Sequence, residues 1–139
     1  MTLEVVKHTI IESITDRAST IELWDNNITY IKLKDDVQIE LEDAKKQYLF
    51  LKSKYNGIHK HLILVEPSIE SSISKEAREF SSKPESNEMT QATAVIVKSL
   101  AHRILINFII KITHQQTMKM KLFDDKQKAI EWLLTFKQQ

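Results

Sequence analysis

The chain has 139 residues, 20 basic and 19 acidic side chains, a formal net charge of +1 and no cysteine. That length suits one domain with its own core and is short for two. The charge balance offers little attraction to a phosphate backbone or an anionic membrane, so nucleic acid is not an expected partner, and the lack of cysteine excludes disulfides, thiolate nucleophiles and thiolate metal sites.

Residues 1–8 lack the basic region and apolar core of a signal peptide. The apolar run over 94–112 is interrupted by Lys98, His102, Arg103, Asn107 and Lys111. A cytoplasmic protein without an integral membrane segment is expected. Residues 3–14 suit a helix, through Leu3, Val6, Ile10, Ile11 and Ile14, but also a strand. From Thr20 two β-rich runs flank Asp25, Asn26 and Asn27, which predicts a hairpin, and Asp35 and Asp36 close its second strand. The spacing of Leu41, Ala44, Tyr48, Leu51 and Tyr55 predicts a helix with acids at its start, Lys52 and Lys54 near its end, and a left-handed stop at Asn56-Gly57.

The apolar run His61 to Glu66, ended by Pro67, reads as a strand covered on both faces and central in a sheet. A polar loop then leads to a short helix from about Ser74, and residues 83–87 form a breaker around Pro84. The chain is organised around residues 92–112, a β-branched strand followed by a helix over Leu100–Ile112 with Ser99 at its start. Met118 to Phe123 alternates apolar with charged residues, as an edge strand does. Asp124 and Asp125 cap a last helix with Ala129, Trp132, Leu133 and Phe136 on its buried stripe. This order implies an α/β domain, a mixed sheet with an N-terminal hairpin and about four covering helices. Gly57, the single glycine, is used as a helix stop, so neither common glycine-rich phosphate loop is present.

This order, with the strand Leu62 to Glu66 before a serine-containing loop and helix, resembles the STAS fold of the SpoIIAA-like anti-anti-sigma proteins. Ile73 to Phe80, Ala94 to Val97 with Ser99, and Leu122 to Asp125 followed by Ala129 to Leu133 are similar to a small, largely uncharacterised bacterial group described as STAS/SEC14-like. The resemblance covers about Thr20 to Phe136. It implies a single domain over 1–139, with 1–19 as an N-terminal extension, acting without catalysis or cofactor as a protein-interaction or regulatory module. The partner would be another protein or a second copy. The SEC14-like side implies an alternative, a carrier or sensor of a lipid or other apolar small molecule. In the regulatory branch a serine in an Asp-Ser-Ser/Thr-Gly motif is phosphorylated. The counterpart here is Glu70-Ser71-Ser72-Ile73, with Glu for Asp and no glycine, which makes Ser71 and Ser72 the candidate phospho-acceptors.

Each candidate has a plainer reading. Serines near a helix start also satisfy backbone donors. On the helix over 100–112, Ile106 and Ile110 fall in the polar sector with Arg103 and Asn107, as candidate contacts for a partner or a second copy, though a neighbouring element could cover them. Arg78 could hold an anionic group or pair with nearby carboxylates. His59 and His61 lack a third placed ligand, so no metal site is expected. Glu76 and Glu79 suit a solvated face, and Trp24 and Trp132 the core or its edge.

Overall fold

The computed structural model describes residues 7–68, 70–97 and 119–136. Its elements in chain order are β1 (Ile10–Thr15), β2 (Ser19–Trp24), β3 (Ile28–Leu33), β4 (Gln38–Ile39), α1 (Leu41–Lys54), β5 (His61–Glu66) and β6 (Ser72–Ile73). There follow α2 (Lys75–Ser81), α3 (Pro84–Asn87), β7 (Thr90–Ile96), β8 (Lys119–Phe123) and α4 (Lys126–Leu134). The sheet order is β1-β2-β3-β5-β7-β8, antiparallel over β1 to β3 and parallel from β3 to β8. This is the expected mixed α/β sheet with an N-terminal hairpin.

The hairpin forms for a local reason. The Asn27 N–H donates to the Trp24 carbonyl at 3.3 Å, and Asn27 takes φ +71, a left-handed position that asparagine tolerates well. Residues 10–15, part of the stretch open between helix and strand, extend the hairpin as β1. Asp16 Oδ1 accepts hydrogen bonds from the N–H groups of Ala18 and Ser19, which folds the connection. At the end of α1 the chain differs from the expected Asn56-Gly57 stop. Tyr55 is the extended C-cap, Asn56 Oδ1 accepts from the N–H groups of Ile58 and His59, and Gly57 alone is left-handed at φ +80.

Period-two alternation then divides the core in two. Ile28, Tyr30, Leu62, Leu64, Ala92 and Ala94 pack against Ala129, Ile130 and Leu133 of α4. On the opposite face Ile21, Ile31, Leu33 and Ile63 pack against Ala44 of α1 and Ala77 of α2. β5 is buried on both faces, as its continuous apolar run requires, because it lies in the middle of the sheet between two helical layers. β8 is an edge of the sheet among the described residues. The breaker around Pro84 contains one turn, α3, with Pro at its start. The predicted helix over 100–112 lies outside the described residues.

Candidate functional site

Beyond the carboxyl ends of β3 and β5 the two connections meet. β4 and β6 pair in parallel, Gln38 with Ser72 and Ile39 with Ile73, as a small ribbon leading directly into α1 and α2. The N–H of Ser72 donates to the Val37 carbonyl at 3.1 Å and the N–H of Ser74 to the Ile39 carbonyl at 2.9 Å. Ser68 Oγ donates to Asp35 Oδ1, tying the two loops together. Two left-handed residues, Asp36 (φ +55) and Glu70 (φ +56), turn the chain here. The resulting rim exposes Asp35, Asp36, Gln38, Glu40, Glu70, Lys75 and Glu76.

The two candidate serines have different surroundings. Ser71 is buried, its Oγ donating to the Ser68 carbonyl at 2.9 Å and accepting from the Ser68 N–H at 3.2 Å. Ser72 is half-buried, and its Oγ donates weakly to Gln38 Oε1 at 3.4 Å. Ser74 is the N-cap of α2, accepting from the Ala77 N–H at 3.1 Å. Arg78 Nη1 donates to the Ile73 carbonyl at 2.7 Å, so its guanidinium helps to hold β6 against α2. Glu76 and Glu79 are exposed. Trp24 is buried, stacked on His8 with ring centroids 3.5 Å apart, and Trp132 is half-buried at the core edge. Ile106 and Ile110 lie outside the described residues. Among the described residues no three His, Asp or Glu side chains gather as metal ligands.

Two polar groups anchor the same layer: Asp43, whose pairing the sequence reading did not foresee, and His61, which it weighed only as a metal ligand. Asp43 is 4% exposed, accepting from the Glu40 N–H at 2.8 Å, from Arg17 Nε at 3.3 Å and from Arg17 Nη2. Arg17 also donates to the Gln38 carbonyl at 2.6 Å, which ties the β1–β2 turn to the rim. Burial alone would raise the Asp43 pKa, but the Arg17 hydrogen bond, the Glu40 N–H and the charges of Arg17 and Lys46 hold it below the ordinary carboxyl value. A signal for part of this was in the sequence, since Glu40 and Asp43 have capping-box spacing. His61, also buried, donates from Nε2 to the Leu51 carbonyl at 2.8 Å, in the last turn of α1. Burial pushes its pKa below the ordinary value, and the Leu51 bond only partly offsets this.

On the α4 face, Tyr30 donates its hydroxyl to Glu66 Oε1 at 2.6 Å, and Lys32 and Lys126 each stand 3.6 Å from that carboxylate. Lys126 also lies 4.2 Å from the Tyr30 ring centroid. Burial, then the bond to Glu66, push the Tyr30 pKa far up, so its proton stays in place. The cluster therefore fastens α4 over β3 and β5.

Between the sheet and the layer of α1, α2 and α3 lies a cavity of about 180 Å³. Ile31, Ile63, Val65, Leu51 and Phe80 form apolar walls, and Tyr48, Asn87, Thr90 and Thr93 bring polar groups to it.

A model for a domain of unknown function, DUF7793, matches residues 21–137. The crystal structure of an uncharacterised DUF3478-family protein from Shewanella loihica PV-4, described as having a SpoIIAA-like fold, matches with a TM-score of 0.57 and 16% identity. The match covers 95% of this chain and 99% of that one. At that identity the likeness carries the fold alone, and it agrees with the mixed sheet and helices described above. No curated protein matches the sequence. This chain has a SpoIIAA-like fold and belongs to the DUF7793 family, whose function is unknown.

Proposed function

We propose that this domain is a non-catalytic interaction module and that a protein partner docks on the rim formed by the ribbon β4–β6. The observation that carries this reading is the way the rim is built. Paired strands and the Ser68–Asp35 bond hold Asp35, Asp36, Glu70 and Ser72 together, at the point where both connections enter α1 and α2. A docking surface needs such preorganisation, because ordering loops on contact subtracts from affinity. The exposed acids suit a partner with a basic patch.

Of the two candidate serines, Ser72 is the one a kinase could reach without first opening the Ser68–Ser71 turn. A phosphate there adds nearly two negative charges beside Gln38 on an already acidic rim. Ile106 and Ile110 belong to the same proposal as contacts for a second copy. The alternative, a carrier or sensor of a lipid or other apolar small molecule, has less support for a lipid-sized cargo. The cavity of about 180 Å³ falls below the roughly 300 Å³ at which pockets for drug-sized ligands begin.

The test is capture of partners from cell extract with the wild-type chain, Asp36→Lys with Glu70→Lys, Ser72→Glu, and Lys128→Glu on α4 as a distant control. A protein retained by the wild type and the control, and lost with the double charge reversal, supports rim docking. Retention of the same proteins by all four refutes it. Native mass spectrometry of Ile106→Glu with Ile110→Lys tests the self-association part, which fails if the assembly state is unchanged.

A further inference from the structure

The cavity between the sheet and the α1–α2–α3 layer has a composition that selects its occupant. Charged residues make up 28% of the chain, yet none of the described residues lining the cavity is Asp, Glu, Lys, Arg or His. Among the described lining residues no opposite charge would meet an ionised ligand. The walls are mainly aliphatic, with the edge-to-face pair Tyr48–Phe80 at one side, centroids 5.9 Å apart and planes at 87°.

One hydroxyl opens onto this cavity. Thr90 is 7% exposed and lines the cavity, and no hydrogen bond joins its hydroxyl to any of the described residues. It reaches that position because the register between β5 and β7 slips by one residue. His61 is opposite Thr90 and Leu62 opposite Ala92, leaving Gln91 as the extra residue of a bulge. Without the slip, alternation from Ala92 and Ala94, which face α4, would turn residue 90 toward α4 as well. Bulges re-aim side chains in this way. Asn87 stands beside the cavity too, its Nδ2 donating to the carbonyls of Ser81 at 2.8 Å and Lys83 at 3.2 Å.

We propose that this cavity is a binding site for an uncharged molecule about the size of one aromatic ring, bearing a single hydroxyl that pairs with Thr90. Size supports this, since an engineered apolar cavity of about 150 Å³ takes up benzene and this one measures about 180 Å³. Polarity supports it as well. A mainly apolar ligand fills the walls, and its one hydroxyl pairs with the Thr90 hydroxyl, which none of the described residues bonds. The site is on the face of the sheet covered by α1 and α2 and does not depend on the rim being a docking surface.

The experiment is ligand-observed NMR titration of the full chain with phenol, toluene and benzoate, repeated on Thr90→Val and Ala44→Leu, with folding of each variant checked by circular dichroism. Thr90→Val keeps shape and removes the hydroxyl. Ala44→Leu puts bulk into the cavity from α1. The expected result is saturable binding of phenol and toluene, with benzoate at least about tenfold weaker than phenol. Thr90→Val should weaken phenol by about fivefold and leave toluene unchanged, and Ala44→Leu should weaken both. If Ala44→Leu does not fold, Thr90→Val decides. The proposal is overturned if phenol does not saturate, if benzoate binds as well as phenol, or if Thr90→Val affects phenol and toluene equally.

Discussion

Asp43 offers the sharpest test of how the layer of α1 is held. Replacing it by Asn keeps the shape and removes the charge, in a side chain that accepts from both Arg17 and the Glu40 N–H. Arg17 is 55% exposed, so its freed guanidinium can hydrate and no charge is stranded in the core. Solvent screens the Arg17 side of the pair, so the loss is that of a screened charge-assisted bond together with part of a cap bond, about 1–2 kcal/mol in all. A total near 1.5 kcal/mol corresponds to a Tm lower by about 5 °C for a domain of this size. The pH dependence discriminates further. The folded Asp43 carboxyl is held below its unfolded value, so its contribution is complete above about pH 5 and is lost as pH falls through the folded pKa. Urea unfolding of the wild type and Asp43→Asn at pH 7, 5 and 3.5 should show a gap that closes toward acid. His61 is present in both proteins and cancels in the difference. A gap below about 0.5 kcal/mol at pH 7, or one that stays constant to pH 3.5, would refute the ion-pair account.

Leu64→Ala empties a fully buried position of β5 and should cost about 2–5 kcal/mol, read by urea midpoint with an unchanged m-value. His61 has a folded pKa depressed by burial, so the stability of its neutral form is present above about pH 6.5 and lost as pH falls through the folded value. A His61→Gln chain should show a flatter stability profile between about pH 6.5 and 5 than the wild type, and identical slopes would count against this. Ser74→Ala removes the bond to the Ala77 N–H and should destabilise by about 1 kcal/mol, whereas Ser74→Asp should retain most of it. Gly57→Ala meets no atom within 4 Å, so its cost is purely conformational at φ +80, about 1 kcal/mol by thermal melt, and Gly57→Asn should cost less.

What was legible in the sequence follows local physics. The β2–β3 hairpin came from three residues tolerant of turns, and the doubly covered β5 from an unbroken apolar run. The start of α2 came from Ser74 and the cap of α4 from Asp125, whose carboxylate accepts from the Gln127 N–H at 3.1 Å. Each depends on neighbours a few residues apart, and the SpoIIAA-like order followed from adding them.

What the sequence left undecided depends on distant partners. Residues 10–15 carry both helical and strand patterns, and they are β1 because the edge of β2 supplies hydrogen bonds. β4 and β6 are two residues each, too short to carry a period, and exist only because Gln38 and Ser72 meet across 34 positions. Ser71 and Ser72 are neighbours of one type in sequence, and the tertiary structure separates them. Ser71 closes a turn on Ser68, and Ser72 sits in the ribbon at the rim. Thr90 lies two residues before the strand that the sequence reading begins at Ala92. Only the register slip against His61, set by how β7 docks on β5, turns its hydroxyl into the cavity.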